Sequence, residues 1–371
     1  MITMGDKQSQ SAGDNSQQLQ ANQMVVNIGI DEKRAREIYQ EMNLQLRKDY
    51  SEEALKIANK RVFELENRLM PKMEKVDGAM EAFADPSFQL LLVEAQKTAA
   101  ASERSADYDL LAELLIHRFK KGENRVTRAG INRAVKIVDE ISDDSLLGLT
   151  ISHCISSFIP MTGEINQGLD VLNNLFGKIF YEELPTGNNW LDHLEILDTI
   201  RISSFGSLKK IQQYYSEVLS GYIDTGIEIN SQNHKDTIEI LTKNGLPVTI
   251  LVDHQLNSNF KRLNLSNRKQ IDSLTLQRQV ILGSQNLLIP EQLTSQQKEA
   301  LNSIFNLYKK DEPLKNENIQ KFMLEWDKRD NLKKLRIWWD NIGTSFDITS
   351  VGKVLAHSNA QRCDNKLPAL D

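Results

Sequence analysis

The chain has 371 residues, 40 % of them hydrophobic and 26 % charged, with a formal net charge of −6. That balance is typical of a soluble globular protein with room for two or three domains. The mild acidity argues against a protein that works mainly by coating nucleic acid, although a local basic patch stays open. Two cysteines far apart, Cys154 in an apolar run and Cys363 in a polar tail, exclude a disulfide framework and a structural zinc site, and read as reduced thiols in the cytosol.

Residues 1–22 are polar and rich in Gln, Ser and Asn, and a Gly-Asp pair recurs after eight residues, at Gly5-Asp6 and Gly13-Asp14. Met24, Val26, Ile28 and Ile30 then alternate with other residues, the two-residue period of a strand, and Gly29 ends the run. Two readings fit this tract. In one, the Gly-Asp pairs set turns and the amide side chains stack as ladders between copies of the chain. Oligomerisation then rests on Gly5, Asp6, Gln8, Gly13, Asp14, Asn15, Gln18, Gln20, Val25 and Val26. In the other, the tract is a disordered polar tail.

Asp31 is a candidate N-cap with Glu32 in the first turn. One amphipathic helix carries Ala35, Ile38, Met42 and Leu46. A second starts near Ser51 and carries Ala54, Leu55, Ala58, Val62, Leu65 and Leu69, until Pro71 perturbs or ends it. Asp85-Pro86 marks a turn. From Ser87 to about Tyr222 the pattern stays helical. The apolar faces are Phe88, Leu91, Leu92 and Ala95; then Leu110, Leu111, Leu114, Leu115 and Phe119, closed by Lys120-Lys121-Gly122. Ile131, Ala134, Val135 and Val138 follow, then Leu169, Leu172, Leu175 and Ile179, and finally Trp190, Leu194, Leu197 and Ile200. The most apolar stretch, Leu146 to Met161, is interrupted by His153, Cys154 and several serines. It falls short of a membrane span and reads as a buried core helix.

Residues 223–295 change character. Gly245-Leu246-Pro247 breaks a helix, Val248, Ile250 and Val252 alternate like a strand, and Asn257 to Asn286 is polar and β-tolerant. Helices resume over Gln297–Lys309 and Asn316–Lys328, and the tail from Cys363 reads as loose. The fold expected is mainly α: a multi-helical body with a short N-terminal β element and a minor β or irregular segment near 246–290. The divisions are 1–30, a helical domain over 31–222, the partly β segment over 223–295, and a C-terminal helical subdomain over 296–371.

Chemistry is sparse. The six histidines include no pair at helical spacing, and HExxH, Cys-x-x-Cys, GxxxxGK[ST], GxGxxG and GxSxG are all absent, so neither metal nor cofactor is expected. Asp192-His193 and Asp253-His254 are chain neighbours, which do not face each other on a helix. A catalytic triad need not be local, so an enzyme site would first be sought at His117, His153 or Asp192 with His193. Near the C-terminus, Phe346-Asp347-Ile348-Thr349 and Gly352 resemble the close of a winged helix, where a hairpin leads into a T-x-x-G helix start. Lys333, Lys334 and Arg336 are then candidate nucleic-acid contacts, but Glu325, Asp327, Asp330 and Asp340 are interspersed. The competing reading packs Trp338 and Trp339 inward and leaves the lysines as an exposed face.

Three segments, GDKQSQSAGDNSQQLQA, NNWLDHLEILDTIRI and FDITSVGKVLAHSNAQR, together resemble a family of uncharacterised bacterial proteins. Its marks are an N-terminal GDxxSQ…GDNSxxxQA signature and a C-terminal FDITSVGxxxAxxN motif, and its members often lie on prophages and in phage-defence islands. The resemblance brings no catalytic residues. It implies a cytoplasmic bacterial protein, an antiviral-defence, abortive-infection or toxin component acting with protein partners from neighbouring genes. The function expected is a self-associating protein that works by protein–protein interaction, without a membrane span and leaning away from an enzyme. The alternatives are a nucleic-acid-binding regulator and an enzyme with a non-local site.

Overall fold

The computed structural model describes residues 30–46, 51–121, 124–203, 205–282 and 285–370. The oligomerisation residues named above, from Gly5 to Val26, and Gly122 lie outside the described residues. The fold is mainly α. Helices α1 (Glu32–Leu46) and α2 (Glu52–Glu74) lead through a 3-10 turn to α3 (Pro86–Ala101), α4 (Ser105–Lys121), α5 (Arg125–Lys136), α6 (Asp143–Ser157), α7 (Ile165–Ile179) and α8 (Asn189–Ile196). Strand β1 (Ile200–Ser203), α9 (Ile211–Val218) and α10 (Ser220–Ile223) follow. A smaller unit holds β2 (Ile227–Glu228), α11 (Gln232–Lys243), β3 (Leu251–Asp253), β4 (Phe260–Leu263), β5 (Thr275–Leu282), β6 (Gln285–Gln292) and α12 (Ser295–Asn306). The chain then returns to the main body with α13 (Glu312–Asp327), α14 (Asp330–Asp340), β7 (Ser345–Ile348) and α15 (Ser350–Cys363).

Local chemistry sets the helix ends. Ser51 caps α2, and Asp85 accepts from the Ser87 N–H at 2.8 Å with Pro86 at the first helical position of α3. Thr294 and Gln297 close a capping box on α12. Pro71 does not end α2, which runs on to Glu74. The buried Leu69, Met70 and Met73 hold that last turn on the core, and one lost backbone donor near a helix end is tolerated.

The helical reading of Ile200 is corrected. Asp198 adopts φ +60°, α8 stops, and Ile200–Ser203 forms a strand antiparallel to β7 in the register Ile200↔Ile348 to Ser203↔Ser345. The Ile-Arg-Ile alternation carries that strand, but four residues are too few to outweigh the helical pattern before them. Val248–Ile250 is a 3-10 turn, and only the tail of that run enters β3, in a sheet ordered β2–β4–β3.

Two apolar cores result. The main one draws on α1 to α10 and α13 to α15, and a smaller one is built from Ile227, Leu241, Leu251, Leu263, Leu265, Ile271, Leu301 and Ile304. At the centre of the main core lies α15, packed against α4, α5, α6 and α7, with Gly352 and the whole run from Val354 to Ala360 buried. The tail beyond it is not loose. Leu367 and Leu370 pack on the main core, Pro368 O accepts from Gln361 Nε2 at 3.0 Å, and Asp364 pairs with Lys178 at 2.7 Å. Leucines at 367 and 370 give the segment the apolar surface that its polar neighbours obscure.

Arg262 joins the two cores. It is 1 % exposed, and its guanidinium donates to Gly163 O at 2.6 Å, Leu263 O at 3.1 Å and Gly221 O at 3.3 Å. Tyr222 lies 5.6 Å beneath it and donates its own hydroxyl to Thr162 O at 2.6 Å. Gly163 and Gly221 permit this approach, because a Cβ on either would collide with the backbone of Asn264 or Leu265. Arg262→Met should strand these buried carbonyls and cost about 3 kcal/mol. Urea denaturation would measure the loss, and hydrogen exchange should show the smaller unit deprotected first.

Candidate functional site: a cleft between α14 and the 184–190 loop

Helix α14 buries Leu332, Leu335, Trp338 and Trp339. Its outer side presents Asp330, Lys333, Lys334 and Ile337 at intervals of three or four residues, with Asn341 just beyond its end. These residues form one wall of a cavity of about 560 Å³, and Leu184 to Asn188 and Trp190 form the other. The walls are pinned together. Trp338 Nε1 donates to Pro185 O at 2.8 Å, and Trp190 Nε1 donates to Gly187 O at 3.0 Å. The two indoles stand 5.8 Å apart, tilted by 36°. Gly187 takes the left-handed turn that brings its carbonyl round, with φ +70°. Gly148 of α6 makes room behind, since a Cβ there would lie 2.7 Å from the Trp190 ring. The cleft is therefore preformed.

Its polar groups are few. Lys333 is exposed, and its ammonium has no hydrogen-bond or ion-pair partner among the described residues. The Lys334 ammonium sits 5.2 Å from the Phe180 ring. Asp330 stands at the other end of the α14 wall. Arg336 is elsewhere. It forks onto Asp327 through contacts of 2.8 and 2.6 Å, and these hydrogen bonds raise its pKa. Of the three basic residues singled out from the sequence, Lys333 and Lys334 share the cleft rim, and Arg336 is committed to an internal ion pair.

The T-x-x-G helix start is present, with the Gly352 N–H donating to Thr349 Oγ1 at 3.2 Å. The strand before it pairs with β1 instead of a neighbouring strand, and the helix after it is buried in the main core. The local resemblance to a winged helix ends at that cap.

The histidines converge in a way their spacing does not announce. His117, His153 and His357 come from α4, α6 and α15 and meet inside the body, each 3 % exposed or less. His153 Nε2 lies 3.1 Å from His357 Nδ1, and His357 Nε2 donates to Pro368 O at 3.0 Å. His117 Nε2 donates to Gln361 Oε1 at 2.6 Å, and Ser358 Oγ donates to His117 Nδ1 at 3.0 Å. Beside them Asn359 Nδ2 donates to Thr150 Oγ1 at 2.8 Å. Burial, with the His357 ring and Lys353 nearby, pulls His153 down to about 4, and burial also lowers His117.

Ser157 Oγ stands 3.2 Å from His153 Nδ1, which gives a serine–histidine–histidine row. It is poorly arranged for acyl transfer. A base near 4 takes a proton weakly at neutral pH, and Ser157 is the last residue of α6, where carbonyls face outward instead of the N–H donors an oxyanion needs. Its evident role is to satisfy polar groups within the core. His193 accepts the Ser142 N–H at 3.3 Å, and His254 donates to Asp224 O at 2.9 Å, so both serve loop ends. Among the described residues, no group of three or more His, Cys, Asp or Glu is placed to hold a metal ion, and no helix is long and apolar enough to cross a membrane.

Fold and cleft together define a mainly α protein with a smaller mixed unit and a preformed interhelical binding cleft. A protein-family model matches residues 29–368, and the chain belongs to that family, which is uncharacterised. No curated protein and no solved structure matches the chain.

The buried imidazoles make stability depend on pH. Burial brings His153 and His254 to about 4, against 6.5 for the free side chain. Below 6.5 the unfolded chain takes up protons that the folded chain refuses, so stability falls with pH between 6.5 and 4, by about 3 kcal/mol for each group at the lower end. Urea denaturation at stepped pH should show this slope. A flat profile across the window would contradict the neutral, buried assignment.

Proposed function

We propose that the protein is a self-associating interaction protein of the bacterial cytoplasm, in which residues 5–29 bring copies together and the α14 cleft receives a segment of a protein partner. The cleft is the observation that carries this reading. Ile337 is 49 % exposed within it, whereas Trp190 and Trp338 are 2 % and 9 % exposed and spend their N–H groups on the opposite wall. What a visitor meets is therefore aliphatic surface from Ile337, Leu184 and Ile342 with two ammonium groups at the rim. That combination suits an apolar side chain followed by a carboxylate. Joining several copies would multiply weak clefts into strong avidity. The resemblance noted in the sequence supports a phage-defence or abortive-infection setting.

Lys333 and Lys334 also support a second reading, contact with nucleic acid. The buried indoles leave no exposed aromatic plane for a base to stack on, which favours the peptide.

Selection of a random peptide library on the intact protein should recover sequences that pair an apolar residue with Asp or Glu. Ile337→Glu, a surface change with little effect on stability, should weaken their binding at least about tenfold. Affinities unmoved by that substitution would remove the cleft from the mechanism. Salt-sensitive oligonucleotide binding that is lost in a Lys333→Ala, Lys334→Ala variant would favour the second reading instead. In light scattering, a chain lacking residues 1–29 should have a lower mass than the full chain, and equal masses would remove those residues from the assembly.

A further inference from the structure

Strands β5 and β6 form a two-stranded ribbon roughly 25 Å long that belongs to neither of the other sheets. Its base is anchored: Leu274 and Leu276 pack on the smaller core, and Leu293 is buried just beyond its far strand. Further out, Gln277, Pro290, Glu291 and Gln292 are exposed, and Ile289 is 43 % exposed. A ribbon of two strands is marginal in water on its own and gains from added neighbours.

The two edges of the ribbon differ. Pro290 stands opposite Gln277 in the register, and a residue without an N–H fits there only because strand donors at that position turn away from the partner. Positions two apart share this direction. The outward donors of β5 therefore belong to Thr275, Gln277, Gln279 and Ile281, none of them proline, whereas the corresponding edge of β6 is blunted by Pro290. The same alternation puts Leu276, Val280 and Leu282 of one strand on one face with Leu287 and Ile289 of the other.

We infer that β5 pairs antiparallel with β5 of a second copy of this chain, which makes a four-stranded sheet across a two-fold axis. An isologous contact needs only one self-complementary edge, and here the open edges meet while the proline-bearing strands lie outside, so the assembly closes instead of growing. Centring the pair on Gln279 sets that residue against its own copy, and Arg278 then falls opposite Val280 and not against a second Arg278. The joined apolar faces run continuously across the sheet. This inference rests on the self-association proposed above and places a contact within the described residues, separate from the N-terminal tract.

The test is light scattering of the full chain at micromolar concentration beside Gln279→Pro and Gln279→Lys. Both substitutions act on the outward edge and leave the β5–β6 ladder its inward bonds. The expected result is that both variants halve the mass, that circular dichroism is unchanged, and that amides of residues 275–281 lose exchange protection. A chain lacking residues 1–29 should keep this ribbon-dependent contact. If both variants keep the full mass and only the N-terminal deletion lowers it, the ribbon inference is overturned while self-association stands. If the full chain is a monomer at every concentration, both fall.

Discussion

Everything in the main body is arranged around a helix that has no outer face. Helix α15 is buried along its length, so each of its polar side chains must find a partner inside the protein, and the helices around it are chosen for what they offer. His357 meets His153 and the tail, Ser358 meets His117, and Asn359 meets Thr150. Leucines alone could pack there in several rotations. The polar run from 357 to 359 accepts one, and so fixes how α4, α6 and α15 lie against each other.

That rotation also sets the outer surface. Gly352 lies against the Thr199 carbonyl, at the junction where β1 meets β7. The same junction leads back through α8 to Trp190 and the 184–190 loop, and β7 places Phe346 at 6.0 Å from the Trp190 ring. The cleft is thus held from behind by the central helix and its strand. Arg262 does the equivalent work for the smaller unit, where one buried cation ties together carbonyls from segments about a hundred residues apart in the chain.

Much of the helical body was legible in the sequence, and the reasons are local. The apolar periods of α2, α4, α5 and α7 and the caps at Ser51, Asp85 and Thr349 announce themselves within a few residues. What escaped depends on distance. Ile200–Ser203 is a strand because β7 lies beside it, and nothing within those four residues says so. The histidines approach across more than two hundred residues of chain, and a polar run such as His-Ser-Asn reads as surface until its partners are seen. The cleft was half legible. Lys333 and Lys334 stood out as basic, but the loop facing them comes from residues 184–190, and their neighbour Arg336 was already taken by Asp327. The ribbon came out as a β-tolerant stretch, without its register or its unequal edges.

The position of α15 in the chain carries a consequence for synthesis. The segment that must occupy the middle of the protein is the last to be made, and it is still inside the ribosome when every helix that will surround it has emerged. Until release, those helices hold open a greasy slot with nothing to fill it. The newborn chain is then a natural client for chaperones, and a premature stop anywhere in the final helix would leave the whole body hollow.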